Sequence, residues 1–183
     1  MLLQEKLHPY RLLLASHSPR RQQLLRDCGL DYTLIDRYEV EERYPAGLPS
    51  HDVPLFLSQL KSDAYPEPLA ESDILLTADT VVVAAGEILG KPHDHEDAVR
   101  MLHALSGREH KVHTGLCVVH GGKAYLATET TRVQFAPIEE SDLLAYARTP
   151  EPYDKAGAYA IQGHAALWCS GIVGCYYNIM GLP

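Results

Sequence analysis

The chain has 183 residues, enough for one domain with two lobes, and is 46% apolar and 22% charged, the composition of an ordinary soluble globular protein. A net charge of −8 argues against binding a nucleic-acid polymer nonspecifically and against a basic membrane face. Any anionic ligand must therefore be met by locally gathered positive charge or by a metal ion. There is no run of about 18 apolar residues that could span a membrane, and the polar start Met1–Lys6 does not read as a signal peptide. Four cysteines (Cys28, Cys117, Cys169 and Cys175) without C-x-x-C spacing read as reduced, mostly buried thiols of a cytoplasmic protein. His93 with His95, and His110 with His113, lack a third ligand at zinc spacing.

The apolar run Leu12–Leu14 predicts a buried strand, followed by Ser16, Ser18, Pro19, Arg20 and Arg21. Pro19 suits the first turn of a helix, Ser18 can cap it, and Gly29 is a good left-handed stop just past Cys28. A helix N-terminus carrying two hydroxyls and two guanidinium groups favours an anion, because orphan N–H groups, the helix dipole and arginine forks all act in the same direction. Read more plainly, it is a surface arginine pair at an ordinary helix start.

Residues 32–35 predict a short second strand, and residues 44–54, with three prolines and a glycine, a loop. A helix is expected from Asp52 to about Tyr65. The β-rich runs 74–77 and 81–83 flank what reads as a break at Ala78-Asp79-Thr80, and Ala85-Gly86-Glu87 predicts a hairpin turn. Asp94, Asp97 and the stripe Ala98, Met101, Leu102 and Leu105 mark the clearest helix. Strands follow at about 111–120 and 123–135 around Gly121-Gly122, then a helix over 139–148. Residues 158–162, 165–169 and 172–173 read as strands, so the chain is expected to be α/β, with a mixed sheet and flanking helices.

Four clusters carry chemistry: the turn Ser16–Arg21; Glu41-Glu42 with Lys61; Asp79-Thr80 with Gly90-Lys91-Pro92; and Asp154-Lys155-Ala156-Gly157 with Gln162 behind it. Taken singly, each has an ordinary reading. Asp79 either caps a turn or works in a cleft, Lys91 is a solvated loop lysine, Asp154-Lys155 is a surface pair, Glu41-Glu42 is an acidic face and Gln162 satisfies a turn. Taken together, the cations Arg20, Arg21, Lys61, Lys91 and Lys155 and the carboxylates Glu41, Glu42 and Asp79 suit a polyphosphate with Mg²⁺, an ion that binds one or two carboxylates plus phosphate oxygens and keeps several waters.

The stretches LLLASHSPRRQQLL, LTADTVVVAAGEILGKP, LSGREHKVHTG, DKAGAYAIQG and YYNIMGLP, in this order, resemble the Maf family of nucleoside triphosphate pyrophosphatases over essentially the whole chain, 1–183, as a single domain. The resemblance implies cleavage between the α and β phosphates, a divalent cation (Mg or Mn), and two lobes of an α/β, ITPase-like fold around a central cleft. It implies that Asp79 is the proton acceptor, that Ser16, Arg21, Lys61, Lys91 and Lys155 hold phosphates, and that Glu42, with Glu41, contacts metal. Arg20, Thr80 and Gln162 match the branch resembling dTTP/UTP pyrophosphatases; a branch resembling 7-methyl-GTP pyrophosphatases carries Trp, Gln and Glu there. The rival readings are a 7-methyl-GTP or ITP-like purine substrate, and a non-catalytic nucleotide-binding regulator of cell division. Relatives often pair as homodimers. Two departures stand out. Gln23 replaces a usual Glu, and relatives continue past Pro183 into a further helix, whose lack is expected to expose apolar surface.

Overall fold

Strand β1 (Arg11–Leu14) buries its three leucines and pairs in parallel with the short β2 (Thr33–Leu34) and with β3 (Asp73–Ala84). The structure, a computed structural model, describes residues 2–183. Helix α1 (Leu3–Leu7) precedes β1, and α2 (Pro19–Asp27) follows it; α3 (Val53–Asp63) leads into β3. β4 (Glu87–Leu89) returns antiparallel on β3 through Ala85 and Gly86, both at positive φ, as a two-residue hairpin requires. Then come α4 (His95–Leu105), β5 (Glu109–His120), β6 (Lys123–Phe135), α5 (Glu140–Ala147), β7 (Cys169–Val173), antiparallel to β6, and α6 (Tyr176–Met180). The seven strands form one mixed sheet, ordered β2-β1-β3-β5-β6-β7 with β4 on β3. The mixed sheet and flanking helices agree with the expected α/β class, and among the described residues no helix is long and apolar enough to cross a membrane.

The chain divides into two compact units, Met1–Asp79 with Thr114–Thr128 and Leu182, and Thr80–His113 with Glu129–Gly181 and Pro183. In the first, Leu12, Leu14, Leu25 and Leu76 form a core on which Leu30, Tyr32, Ile74, Val118 and Leu182 pack; each fully buried leucine contributes roughly 2 kcal/mol. Leu182 thus covers part of this core itself. The buried Asp73 carboxylate takes the Arg11 fork at 2.8 Å on both oxygens and the Ala70 N–H at 2.9 Å. These bonds, the Arg11 one foremost, hold its pKa below the usual carboxylate range. Gly115 of β5 lies against the first turn of α3, where a Cβ would overlap the backbone of Pro54 and Leu55.

In the second unit the α4 stripe of Ala98, Met101, Leu102 and Leu105 is buried as its spacing predicts, and Asp94 caps the helix by accepting from Asp97 N–H at 2.8 Å. Here the core is aromatic. Phe135 meets His110, Tyr159 and Trp168 edge to face, with centroids at 4.9, 4.9 and 6.4 Å. Buried His110 places Nε2 2.8 Å from the Tyr159 hydroxyl, while its Nδ1 has no hydrogen-bond partner among the described residues.

Three expectations need correction. β3 runs unbroken through Ala78-Asp79-Thr80, because Ala78 is buried and the polar pair sits on a continuous strand rather than at its end. Residues 158–168 are not strands. Gly157 and Ala158 have φ of 72° and 59°, which ends any extended run, and His164–Trp168 is a 3-10 turn, so Ala158, Tyr159, Ala160, Ile161, Ala165 and Trp168 are buried on packed turns while Leu167 is exposed. Of the four free cysteines only Cys117 is buried.

Burial pushes the His110 pKa down to about 4 from 6.5. The unfolded chain therefore binds the extra proton first, and stability is full above pH 6.5 and is lost as pH falls toward 4. That loss is on the order of 3 kcal/mol. Urea unfolding across this window should show the fall, and His110→Phe should flatten it at some cost in stability at neutral pH. A pH dependence identical in both proteins would contradict the assignment.

Candidate functional site

The anion turn is built as the sequence predicts. β1 delivers the chain to Ser16, which is buried, and α2 opens at Pro19 with Ser18 as cap, its Oγ accepting from Arg21 N–H at 3.5 Å. Arg21 folds back so that Nη1 donates to Ser16 Oγ at 3.1 Å. Burial pushes the Arg21 guanidinium pKa down. The carboxylates of Asp79 and Glu42 oppose that shift, and neighbouring Arg20 adds to it. Arg21 stays charged, since no protein environment neutralises arginine near neutral pH. His17 turns outward and reaches Ile35 O at 2.9 Å, and Arg20 is half-buried. Gln23 bonds Asp27 at 2.6 Å and Arg26 at 3.1 Å along the exposed side of α2, which makes it a residue of the helix face.

Beside this turn lies a charged triad. Ser58 and Lys61 stand three residues apart on α3, and Thr77 and Asp79 two apart on β3, so each pair shares a face. The buried Thr77 hydroxyl donates to Ser58 O at 2.6 Å, which fixes helix against strand. One helical turn on, Lys61 Nζ lies 2.6 Å from Asp79 Oδ1 and 3.1 Å from Glu42 Oε2. The side chains of Lys61 and Asp79 are only 17% and 15% exposed, against 53% for Glu42. Tyr38 donates its hydroxyl to Lys61 O at 2.6 Å, securing the end of α3. Glu41 turns away from the triad and pairs with exposed Arg43 at 3.0 Å.

The second unit holds the remaining predicted residues. Thr80 follows Asp79 along β3 and is half-buried; Lys91 is exposed after Gly90. Gly157 N–H donates to Gly90 O at 3.0 Å, so the segments bearing Lys91 and Lys155 are joined. Lys155 pairs with Asp154 and donates to Glu151 O at 2.8 Å. Gln162 is exposed at a tight turn closed by Gly163 N–H to Ala160 O at 3.0 Å. Sequence reasoning did not find Ser58, Thr77 or Tyr38, nor Tyr146 and Glu151, which flank the Gln162 turn. Their roles come from backbone contacts between distant segments, and no residue pattern signals those.

Among the described residues no three His, Cys, Asp or Glu side chains gather into an all-protein metal site. Glu42 and Asp79 nonetheless converge on a single point of positive charge. That donor pair fits an ion of the Mg²⁺ class, which takes one or two carboxylates and completes its shell with water and phosphate oxygens.

Gly157 has a φ of 72°, and a Cβ there would stand 2.9 Å from Val82 Cγ1. Gly157→Ala should therefore destabilise the protein by more than about 1 kcal/mol, measured as a fall in the urea midpoint. An unchanged midpoint would show that this close approach to Val82 is not needed for the fold.

Comparison with known proteins gives a consistent result. The family described as Maf-like protein matches residues 11–183. A dTTP/UTP pyrophosphatase of Porphyromonas gingivalis is 41% identical over 98% of this chain and 92% of its own length. Its counterpart in Symbiobacterium thermophilum is 45% identical over 94% of this chain and 88% of its own. Among solved structures, a nucleoside-triphosphatase (dITP/XTP pyrophosphatase) of Mycobacterium abscessus aligns with 70% of this chain and 75% of its own, at 16% identity and a TM-score of 0.43.

Proposed function

This chain belongs to the Maf-like family, and we propose that it is a cytoplasmic nucleoside triphosphate pyrophosphatase that cleaves dTTP and UTP to the monophosphate and pyrophosphate, its two units working as one domain. The observation that carries the chemistry is the Lys61 ammonium held between Asp79 and Glu42. The substrate class rests on relatives of about 40% identity that are named for dTTP and UTP.

In the reaction a water oxygen bonds to the α-phosphorus as the bond from that phosphorus to the α–β bridging oxygen breaks. The bridging oxygen leaves with pyrophosphate, and the water proton passes to Asp79. Asp79 suits this task because its neighbour Lys61 orients the carboxylate by donating to Oδ1. Ser16, Arg21 and Lys61 meet the phosphates where the dipole of α2 also favours negative charge. Lys91 and Lys155 add charge for the leaving pyrophosphate. Glu42, with Asp79 beside it, would hold a Mg or Mn ion, and Glu41 stands next in sequence. When bound, the ion lowers the pKa of a coordinated water and draws charge from phosphate oxygens.

Gln162, exposed on its turn, is read as the base selector: a neutral amide both donates to a pyrimidine carbonyl and accepts from N3–H. Arg20 and Thr80 complete the selection. A Glu at this place would instead face the donor edge of a guanine.

Pyrophosphate release should be seen with dTTP and UTP in Mg²⁺ and abolished by chelator. Preferred cleavage of 7-methyl-GTP or ITP would keep the chemistry and overturn the base reading, and binding without release would indicate a nucleotide-dependent regulator. Asp79→Asn should lower turnover on the order of a thousandfold, while dTTP still raises the thermal midpoint by mass action. Turnover equal to the parent's would remove Asp79 from the base role.

A further inference from the structure

The Gln162 turn is pinned at both ends to one bonded pair of side chains, buried Tyr146 and half-buried Glu151. At its start, Ala160 N–H donates to the Tyr146 hydroxyl at 3.3 Å. At its end, His164 N–H donates to Glu151 Oε1 at 3.2 Å. The two anchors are themselves bonded, the Tyr146 hydroxyl donating to the same Oε1 at 3.2 Å. Tyr146 is 2% exposed and its ring packs edge to face on Trp168 with centroids 5.0 Å apart, so the anchor sits on the aromatic core. Burial, and then the Glu151 charge, raise the Tyr146 pKa, so its hydroxyl keeps the proton it donates. Between the anchors, Ile161 is buried and Gln162 exposed, which turns the amide outward on a backbone fixed on either side. Gly163 completes the fit: a Cβ there would overlap Glu151 Oε1. Through its own carbonyl, Glu151 also accepts from Lys155 Nζ at 2.8 Å.

We infer that Glu151, acting through Tyr146, is a positioning residue for base selection: its carboxylate closes a clamp that presents the Gln162 amide to the pyrimidine. The inference rests on the reading of Gln162 given above. A clamp of this kind acts on recognition of the base rather than on bond breaking. Its loss gives Gln162 freedom that must be removed each time substrate binds.

Steady-state kinetics on the full chain with dTTP and ITP test it. Glu151→Ala should raise KM for dTTP about tenfold with kcat within about a factor of two, and narrow the preference for dTTP over ITP. Glu151→Gln should restore the parent values, because the amide oxygen still accepts from His164 and Tyr146. In a Gln162→Ala background, Glu151→Ala should add no further loss of preference, since its effect passes through that side chain. If Glu151→Ala fails to fold, Gly163→Ala, which displaces the carboxylate from the turn, should give the same rise in KM. A fall in kcat at unchanged KM, or additive losses in the double variant, would overturn the clamp. If Gln162→Ala changes the preference and Glu151→Ala does not, only the clamp fails; if Gln162→Ala changes nothing, the Gln162 reading fails and the clamp with it.

Discussion

The ammonium of Lys61, held between Asp79 and Glu42, is the contact on which the first unit depends. A carboxylate as shielded as Asp79 carries a desolvation cost that only a partner of opposite charge offsets. Placing that partner requires α3 to lie against β3 in one register, and the buried bond from Thr77 to Ser58 O sets it. The close approach of α3 requires in turn that Gly115 carry no side chain. The charged triad is thus secured by two backbone-level contacts.

The charge pattern around this triad suits an incoming polyphosphate. Arg21 is stabilised by the charges of Asp79 and Glu42 and donates to the Ser16 hydroxyl, so positive and negative groups partly offset one another before any ligand arrives. A triphosphate carries more negative charge than the cations of this turn alone can meet, which is why a divalent ion belongs to the proposed chemistry. An acidic protein with a net charge of −8 has no general attraction for nucleotides, and its recognition of them must come from such local concentrations of cations.

The second unit solves a different problem. Its turns from Glu151 to Trp168 have little regular secondary structure, and what orders them is an aromatic core around Phe135 together with side chains that close the backbone bonds. Glu151 and Tyr146 satisfy N–H groups that neither helix nor strand would pair. Precision in a segment of turns therefore comes from side-chain anchoring of its backbone rather than from a ladder.

Local order was legible in the sequence wherever a repeating pattern met a stop signal. The Ser18-Pro19 start and Gly29 end of α2, the apolar stripe of α4 and the hairpin glycines at 86, 121 and 122 all act within a few residues, so periodicity and φ preference suffice to read them. Short apolar runs were not legible in the same way: most apolar residues of 158–168 are buried on turns, because burial alone does not distinguish a strand from a packed loop. Asp79 read as a strand break because polarity was taken for an end. The sequence by itself determined the chemical inventory, which groups are charged and which turns they ride on. Tertiary structure alone decided that Lys61 meets both Asp79 and Glu42 and that Glu151 grips the Gln162 turn. These pairings join residues far apart in the chain, and only the packing of helix on sheet and ring on ring fixes such distances.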